Sequence, residues 1–590
     1  MNKEKLTNLI RKSAQSLGLE VGAFSLEHPD EISHGDYSTN IALILAKELK
    51  MNPKELAEKI VAEMSKTVFD TIEKIEVAGA GFINFYLSSK FFDESLNSLL
   101  EAGDTFGQNS TLKGKKALVE YTDPNPFKEF HIGHLMSNTI GESISRLVQA
   151  SGAETKRACY QGDVGLHVAK AVWALIKNKK EVVSAGNLGQ AYAEGSKAYE
   201  DPESKIEIDA INKKIYDRSD EDINRIYDHG KTISLEHFAE IYKKLGTEFN
   251  FYFFESETGK FGKEIVLDYL DKGVFEKSEG AIIFPAEKHD PKLHTRVFIN
   301  KEGLPTYEAK ELGLAQIKYD LFPYDLSIVI TGNEVNDYFK VLLKALELIF
   351  PELAKATKHL SHGMLRLPSG KMSSRTGSVI TGESLIEDIS VMVRKKIESS
   401  DRGIEDKERL VNMVAVAALK YSILKQSPGR DIIFDFEKSI SFEGDSGPYL
   451  QYSYARAKSI LNKAQENNIA ELSHSGSTNN FLLKIFSARP AGLRKASQLR
   501  SPATKEVTEL ERFLYRFPEV VERSALEYAP HYLITYLTDL SRSFNAFYGE
   551  TKIVDPSDPS SPHKVALTRA FSIVLKNGLN LLGIQAPEKM

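Results

Sequence analysis

Cysteine is nearly absent. One, Cys159, occurs in 590 residues, so neither an intrachain disulfide nor a cysteine zinc cluster can form. Also missing is any run of about 18 apolar residues, the length a membrane-spanning helix requires. The opening MNKEKLTNLIRKSAQ is charged from its third position and lacks the apolar centre of a secretory signal. These absences predict a reducing, cytoplasmic setting and no membrane partner. Histidine is available, but no His/Cys spacing typical of a metal site occurs, so no protein-bound metal and no zinc is expected. Internal repeats are lacking. So is an overall basic charge: the formal net charge is −6, which argues against a wholly basic nucleic-acid binder.

That average hides an asymmetry. Residues 391–590 carry 28 Lys and Arg against 23 Asp and Glu, whereas the rest carries 48 against 59. Phe481–Lys505 holds six basic residues (Lys484, Arg489, Arg494, Lys495, Arg500, Lys505) and no acid. Opposed charge in two parts of a chain points one part toward a polyanion, although a solvated basic loop reads the same way.

The length suits roughly three to five domains of ~100–200 residues. Residues 1–108 read as a small α/β unit. In it Pro53–Ser65 has Leu56, Ile60, Val61 and Met64 at helical spacing behind Asn52, a cap. Lys74–Leu87 reads as two strands around Gly79-Ala80-Gly81. Lys116–Tyr121 is an apolar run short enough for a buried strand. A proline-containing loop follows, and from His131 onward Leu135, Ile140, Ile144 and Leu147 recur at helix spacing, as in a nucleotide-binding βα unit. Residues 170–295 look like a mostly helical insertion, after which strands are predicted at Ala281–Phe284, Val297–Asn300 and Leu326–Thr331. From about Gly382 the chain is helical by periodicity, interrupted by the polar Gln465–Asn480 and by a Pro/Ser/Asp loop at Asp555–Pro562.

Two motifs carry chemistry. His131-Ile132-Gly133-His134 opens a helix just after a strand. Two imidazoles three residues apart share a face of the first turn, the glycine leaves room for a ligand, and the helix N-terminus favours phosphate. Lys371-Met372-Ser373-Ser374-Arg375, about 240 residues later, places two cations and two hydroxyls between glycines. Such a loop can close over a triphosphate and stabilise leaving pyrophosphate. Either motif alone arises by chance, or as a solvated turn. The ordered pair resembles the HIGH and KMSKS sequences of class I aminoacyl-tRNA synthetases.

The surroundings resemble the arginyl members of that class. They are Val119–Asn125 with Lys128, the Gly162-Asp163-Val164-Gly165 loop, Leu245–Phe249 with Tyr252 and Glu255, Pro305–Glu311, Ser441–Tyr452 and Leu575–Met590. Gly35–Asn40 and Gly81–Asn84 resemble the family's extra N-terminal domain, so the likeness covers essentially the whole chain. It implies an α/β architecture: a Rossmann-type class I catalytic domain at 109–170 and 295–385, an inserted domain at 171–294, a small N-terminal α/β domain that contacts tRNA at 1–108, and an all-α anticodon-binding domain at 386–590.

The implied activity joins arginine to tRNA-Arg with ATP, through arginyl-adenylate, with bound tRNA needed for activation. Lys128, His131, His134, Lys371 and Arg375 are the catalytic candidates. Pro124, Asn125, Gly133, Met372, Ser373 and Ser374 complete the ATP site, with Mg²⁺ on the phosphates. Glu120, Asn125, Glu255, Tyr307, Glu311 and Asn333 would hold arginine, whose planar fork of five donors calls for carboxylates. The family more often has aspartate at Glu311, glutamine at Asn333 and a lysine at Ser374. Either Arg375 or Lys128 would supply that missing charge. Tyr536, Phe544, Phe547 and Tyr548 form an aromatic stripe that either stacks tRNA bases or fills the helix bundle, and Met590 joins the tRNA candidates. A monomer is expected. A free-standing nucleotidyltransferase would lack the second motif and the helical C-terminal part. A tRNA-binding paralogue without activity would have lost the histidines or Lys371. A cysteinyl enzyme would need zinc ligands, and a leucyl one a longer chain.

Overall fold

Asn52 accepts the N–H of Lys54 and starts a helix at Pro53, as its sequence predicts. The protein is seen as a computed structural model that describes residues 3–29, 31–67, 70–367, 381–398, 406–469 and 507–590. It divides into two units: Met1–Gly107 with Arg456–Val520 and Asp539–Asn577, and Gln108–Ala455 with Val521–Thr538 and Gly578–Met590. The N-terminal part of the first unit runs α1 (Lys3–Ser16), β1 (Leu26–Glu27), β2 (Tyr37–Thr39), α2 (Ile41–Leu49), α3 (Pro53–Met64), β3 (Ile72–Ala78), β4 (Phe82–Leu87) and α4 (Ser89–Ala102). Its antiparallel sheet has the order β1-β2-β4-β3. Ile83, Phe85 and Leu87 face inward at the strand period and meet Leu6, Ile10, Ile41, Leu45 and Ile60 from the helices.

The second unit begins with β5 (Lys116–Glu120), α5 (Ile132–Ala150), β6 (Glu154–Gln161), α6 (Leu166–Lys177), α7 (Ala185–Ala198), α8 (Pro202–Asp217), α9 (Glu221–Leu245), β7 (Phe251–Phe254), α10 (Glu255–Asp271), β8 (Glu276–Ser278), β9 (Ala281–Phe284), β10 (Arg296–Ile299), α11 (Tyr307–Leu321), β11 (Leu326–Gly332), α12 (Asn336–Ile349), α13 (Pro351–Ala356) and β12 (Thr357–His362). A parallel sheet of order β12-β11-β5-β6-β7 organises it, with the apolar β5 buried at the centre. Helices α6 to α9 share their own core around Val168, Val172, Leu188, Ile208 and Tyr227. The insertion is not continuous through residue 294, however. Strand β7 lies inside the predicted insertion, yet its backbone pairs with β6 and extends the sheet. The strands predicted at 281–284 and 297–300 do form, but in a separate antiparallel sheet of order β10-β9-β8, because the tight Ser278–Ala281 hairpin returns β9 on β8.

The rest comprises β13 (Leu365–Arg366), α14 (Gly382–Glu398), α15 (Lys407–Leu424), β14 (Ile432–Ile433), α16 (Phe436–Ser439), α17 (Gly447–Glu466), α18 (Glu509–Leu514), α19 (Phe517–Leu526), α20 (Pro530–Glu550) and α21 (Ser561–Leu581). These helices contribute to both units. In the first, Arg512 pairs with buried Asp36, and Glu519 accepts bonds from Tyr37 and His28. In the second, buried Lys420 donates to the carbonyls of Leu245 and Gly583, and burial pulls its ammonium down to about 7. The basic stretch Phe481–Lys505 and residues 470–480 of the polar linker lie outside the described residues. Among the described residues no helix is long and apolar enough to cross a membrane.

Helices α10 and α11 cross at two glycines. A Cβ on Gly313 would stand 2.2 Å from the Thr258 carbonyl oxygen, and one on Gly262 would stand 1.8 Å from that of Ala309. Both obstacles are backbone, so the helices would have to separate. Gly313→Ala should therefore destabilise the protein by on the order of 1–3 kcal/mol, read as a lower midpoint in urea unfolding. An unchanged midpoint would show that the helices can part freely.

Candidate active site

Between β5 and α5 the chain adopts a conformation that ordinary residues avoid. Thr122, Asp123 and Phe127 all have positive φ (84°, 49° and 68°). The neighbourhood holds them there. Thr122 N donates to Ser137 Oγ at 2.9 Å, Asp123 Oδ1 accepts Tyr160 N at 2.7 Å, and Phe127 N reaches Ser234 Oγ at 3.1 Å. Such strain persists only where the surroundings over-determine it. Its result is to place Asn125 so that its Oδ1 accepts Gly162 N at 3.0 Å, with its amide nitrogen left to bind elsewhere. Pro124 is buried in the same loop.

The histidines of the first motif cap α5 reciprocally. Gly133 N donates to His131 Nδ1, and His131 N donates to His134 Nδ1, each at 3.1 Å. The rings stack with centroids 3.6 Å apart. With both Nδ1 atoms accepting, each neutral ring carries its proton on Nε2. Burial, reinforced by Lys128 and by the other histidines, pushes both imidazoles below their ordinary range, so near neutral pH they are uncharged donors. His134 is the more deeply buried of the two, while His131 is partly enclosed and keeps one side open to solvent. Lys128 lies over the Tyr192 ring at 5.2 Å. Beyond the second motif, Gly382 N donates to Phe130 O at 2.6 Å. Lys371, Met372, Ser373, Ser374 and Arg375 themselves lie outside the described residues.

Below this turn sits a cluster of acids, most of them already paired. Glu120 meets Lys318 Nζ at 2.8 Å, Glu255 meets Lys310 Nζ at 2.5 Å, and Glu308 meets Arg296 at 3.3 Å. The first two pairs are buried on both sides, and the lysines are held above their ordinary range by the facing carboxylates, against the pull of burial. Glu311 makes no ion pair among the described residues. Burial first, and then Glu120, push its carboxyl up to about 8. Tyr307 is 61% exposed, with Lys310 Nζ 5.3 Å from its ring centroid. Asn333 starts a turn at the end of β11 and is half-buried. Glu120, Glu255, Glu311 and Asn125 thus belong to one connected region. Lys310 and Lys318 were missed as partners by sequence reasoning. The signal was there, since Lys310 and Glu311 are adjacent and Lys318 follows about two turns later on the same helix.

The aromatic stripe is corrected. Phe544 is fully buried and stacks on Phe571 with centroids 3.8 Å apart, and Tyr536 is 7% exposed. Their apolar rings fill helix packing, the alternative left open by periodicity, so they cannot offer faces to bases. Tyr548 is exposed beside Arg456, Phe547 is half-buried, and Met590 is half-buried at the chain end. Among the described residues no group of three His, Cys, Asp or Glu is placed to hold a metal ion.

Comparison with known proteins follows this geometry. Residues 95–436 match the family described as "tRNA synthetases class I (R), catalytic domain", residues 450–590 match "DALR anticodon binding domain", and residues 4–87 match "Arginyl tRNA synthetase N terminal domain". The chain is 31% identical to an arginine–tRNA ligase of Treponema denticola, covering 96% of this chain and 95% of that one. It is 30% identical to that of Clostridium acetobutylicum, covering 96% of each. The fold resembles that of Thermus thermophilus arginyl-tRNA synthetase over the whole of both chains, with a TM-score of 0.78 at 24% identity.

The buried pairs make a stability prediction. Glu120→Gln would leave Lys318 without its counter-charge, a change that costs roughly 3–5 kcal/mol. Urea unfolding of Glu120→Gln checks this, and a loss under about 1 kcal/mol would mean that water or another acid replaces Glu120.

Proposed function

As the chain belongs to the arginyl-tRNA synthetases and is an arginine–tRNA ligase that uses ATP, we propose that its reaction centre lies between the His131–His134 turn and the acid cluster around Glu311. The observation that carries this reading is the uneven pairing of the acids. Lysines neutralise Glu120 and Glu255, Arg296 neutralises Glu308, and Asp123 is engaged by Tyr160 N and kept protonated by burial and its acidic neighbours, which leaves Glu311 to meet one incoming guanidinium. Glu255 and Tyr307 would complete the guanidinium subsite. Asn125, whose amide oxygen holds Gly162 N while its NH₂ makes no bond among the described residues, and Asn333 suit the α-amino end, with Glu120, held by Lys318, beside them.

In the adenylation step the arginine carboxylate attacks the α-phosphorus of ATP and pyrophosphate leaves. The protein's task is positioning and charge stabilisation. The Nε2–H groups of His131 and His134 would donate to phosphate oxygens, Gly133 and Pro124 leave room for the nucleotide, and Lys128 supplies positive charge. Lys371 and Arg375, with Met372, Ser373 and Ser374, would close the loop over the triphosphate. Mg²⁺ would travel on the phosphates, there being no described cluster to hold it. A hydroxyl of the terminal tRNA ribose then attacks the carbonyl carbon of the adenylate, forming the ester and releasing AMP. We read residues 1–108 as a tRNA-contacting domain and the C-terminal helices as the anticodon-binding part, with Tyr548 and Met590 as remaining contacts. The protein would act as a cytoplasmic monomer, its one thiol, Cys159, buried beside Tyr242.

His134→Ala should slow adenylation by about 100-fold or more with tRNA affinity intact. ATP–pyrophosphate exchange, run with and without tRNA, measures it, and wild-type exchange should require the tRNA. Equal loss of exchange and tRNA binding would point to misfolding. The second prediction concerns pH. Below pH 8 Glu311 is protonated in the empty site, so arginine must expel a proton to bind. Its KM should fall as pH rises from 6.5, by up to about tenfold per unit, and level off near 8. Glu311→Gln should raise KM and flatten the profile. A flat wild-type profile would remove Glu311 from the guanidinium.

A further inference from the structure

Asp163 occupies the turn after β6 and is wholly buried. Four donors converge on its carboxylate. Oδ1 accepts Ser256 N at 2.9 Å. Oδ2 accepts the Ser256 hydroxyl at 2.6 Å, the Tyr227 hydroxyl at 3.0 Å and Lys231 Nζ at 2.7 Å. Ser256 stands in the first turn of α10, directly after Glu255. Tyr227 and Lys231 lie one turn apart on α9, and Lys231 Nζ also sits 3.7 Å from the Phe254 ring centroid.

Helix α10 needs an outside partner. Its cap position is Phe254, whose side chain makes no capping bond, so a first-turn N–H would otherwise be buried without an acceptor. Asp163 supplies that acceptor from another element, and its negative charge suits the positive end of the helix. The same turn touches the other proposed arginine ligand. Gly162 N donates to Asn125 Oδ1, and a Cβ on Gly162 would lie 2.4 Å from that oxygen and 3.0 Å from Glu255 Oε1. One short turn therefore fixes the distance between the groups meant for the two ends of the amino acid.

We propose that Asp163 is a positioning residue for arginine: by capping α10 through Ser256 and tying it to α9 through Tyr227 and Lys231, it sets where Glu255 stands relative to Asn125. This rests on the reading of Glu255 and Asn125 as arginine ligands. Asp163 itself touches no substrate. A displacement of about 1 Å in such a group is enough to lose up to 100-fold in rate, and the nucleotide groups on α5 lie on a different element.

The test is aminoacylation by the full-length enzyme, with KM for arginine, KM for ATP and kcat measured separately. Asp163→Asn removes the charge, and Ser256→Ala deletes one bond while keeping the backbone N–H. Both should raise the arginine KM by about tenfold or more and leave the ATP KM within twofold. Should Asp163→Asn fail to fold, Ser256→Ala decides. Glu255→Gln is measured alongside. If Glu255→Gln raises the arginine KM but the folded variants do not, the positioning role is overturned alone. If Glu255→Gln leaves the arginine KM unchanged, the ligand reading fails and the positioning role with it. Parallel rises in both KM values would also overturn it, as a general structural loss.

Discussion

Two lysines on one helix, Lys310 and Lys318, sit in the protein interior against Glu255 and Glu120. Neither charge could be buried alone, because desolvation of an ammonium or a carboxylate costs several kcal/mol. The rest of the site depends on this constraint. The pairs hold the ends of β5 and α10 against α11 at fixed separation. They also offset two negative charges in a crowded acidic cluster, in which Glu311 makes no ion pair among the described residues. A pocket with four uncompensated carboxylates would bind protons and any metal ion. Here Lys318, Lys310 and Arg296 offset three of them.

The loop from Thr122 to Phe127 links this cluster to the HxGH turn. Three non-glycine residues with positive φ bring Asn125 toward the acid cluster and deliver the chain to His131 at the start of α5. The histidines then bond to the helix end itself, which consumes both Nδ1 atoms and leaves the proton of each neutral ring on Nε2. The tautomer follows from local backbone geometry, without a carboxylate to orient either ring.

In the first unit the same logic appears without a substrate. Asp36 receives the N–H of Leu87 and pairs with Arg512, and Glu519 takes hydrogen bonds from Tyr37 and His28. Residues nearly 500 positions apart thus satisfy one another's buried charges. Such contacts are specific because each charge left unmatched would be costly.

By itself the sequence determined what depends on local spacing. Asn52-Pro53 started a helix, the apolar run at 116–120 became the central strand, and the HxGH turn fell at a helix N-terminus, because caps, periods and short apolar runs act within a few residues. It also carried the family, through motifs spread over the whole chain. The tertiary structure alone decided the rest. Strand β7 returned to the parallel sheet from within the expected insertion, since strand pairing is set by partners far along the chain. Phe544 went into the bundle core, because a stripe of aromatics at helical spacing looks alike whether it faces RNA or another helix. Which acid stays without an ion pair among the described residues was equally out of reach: Glu120, Glu255 and Glu311 are the same residue type in sequence, and the fold sets a lysine against the first two.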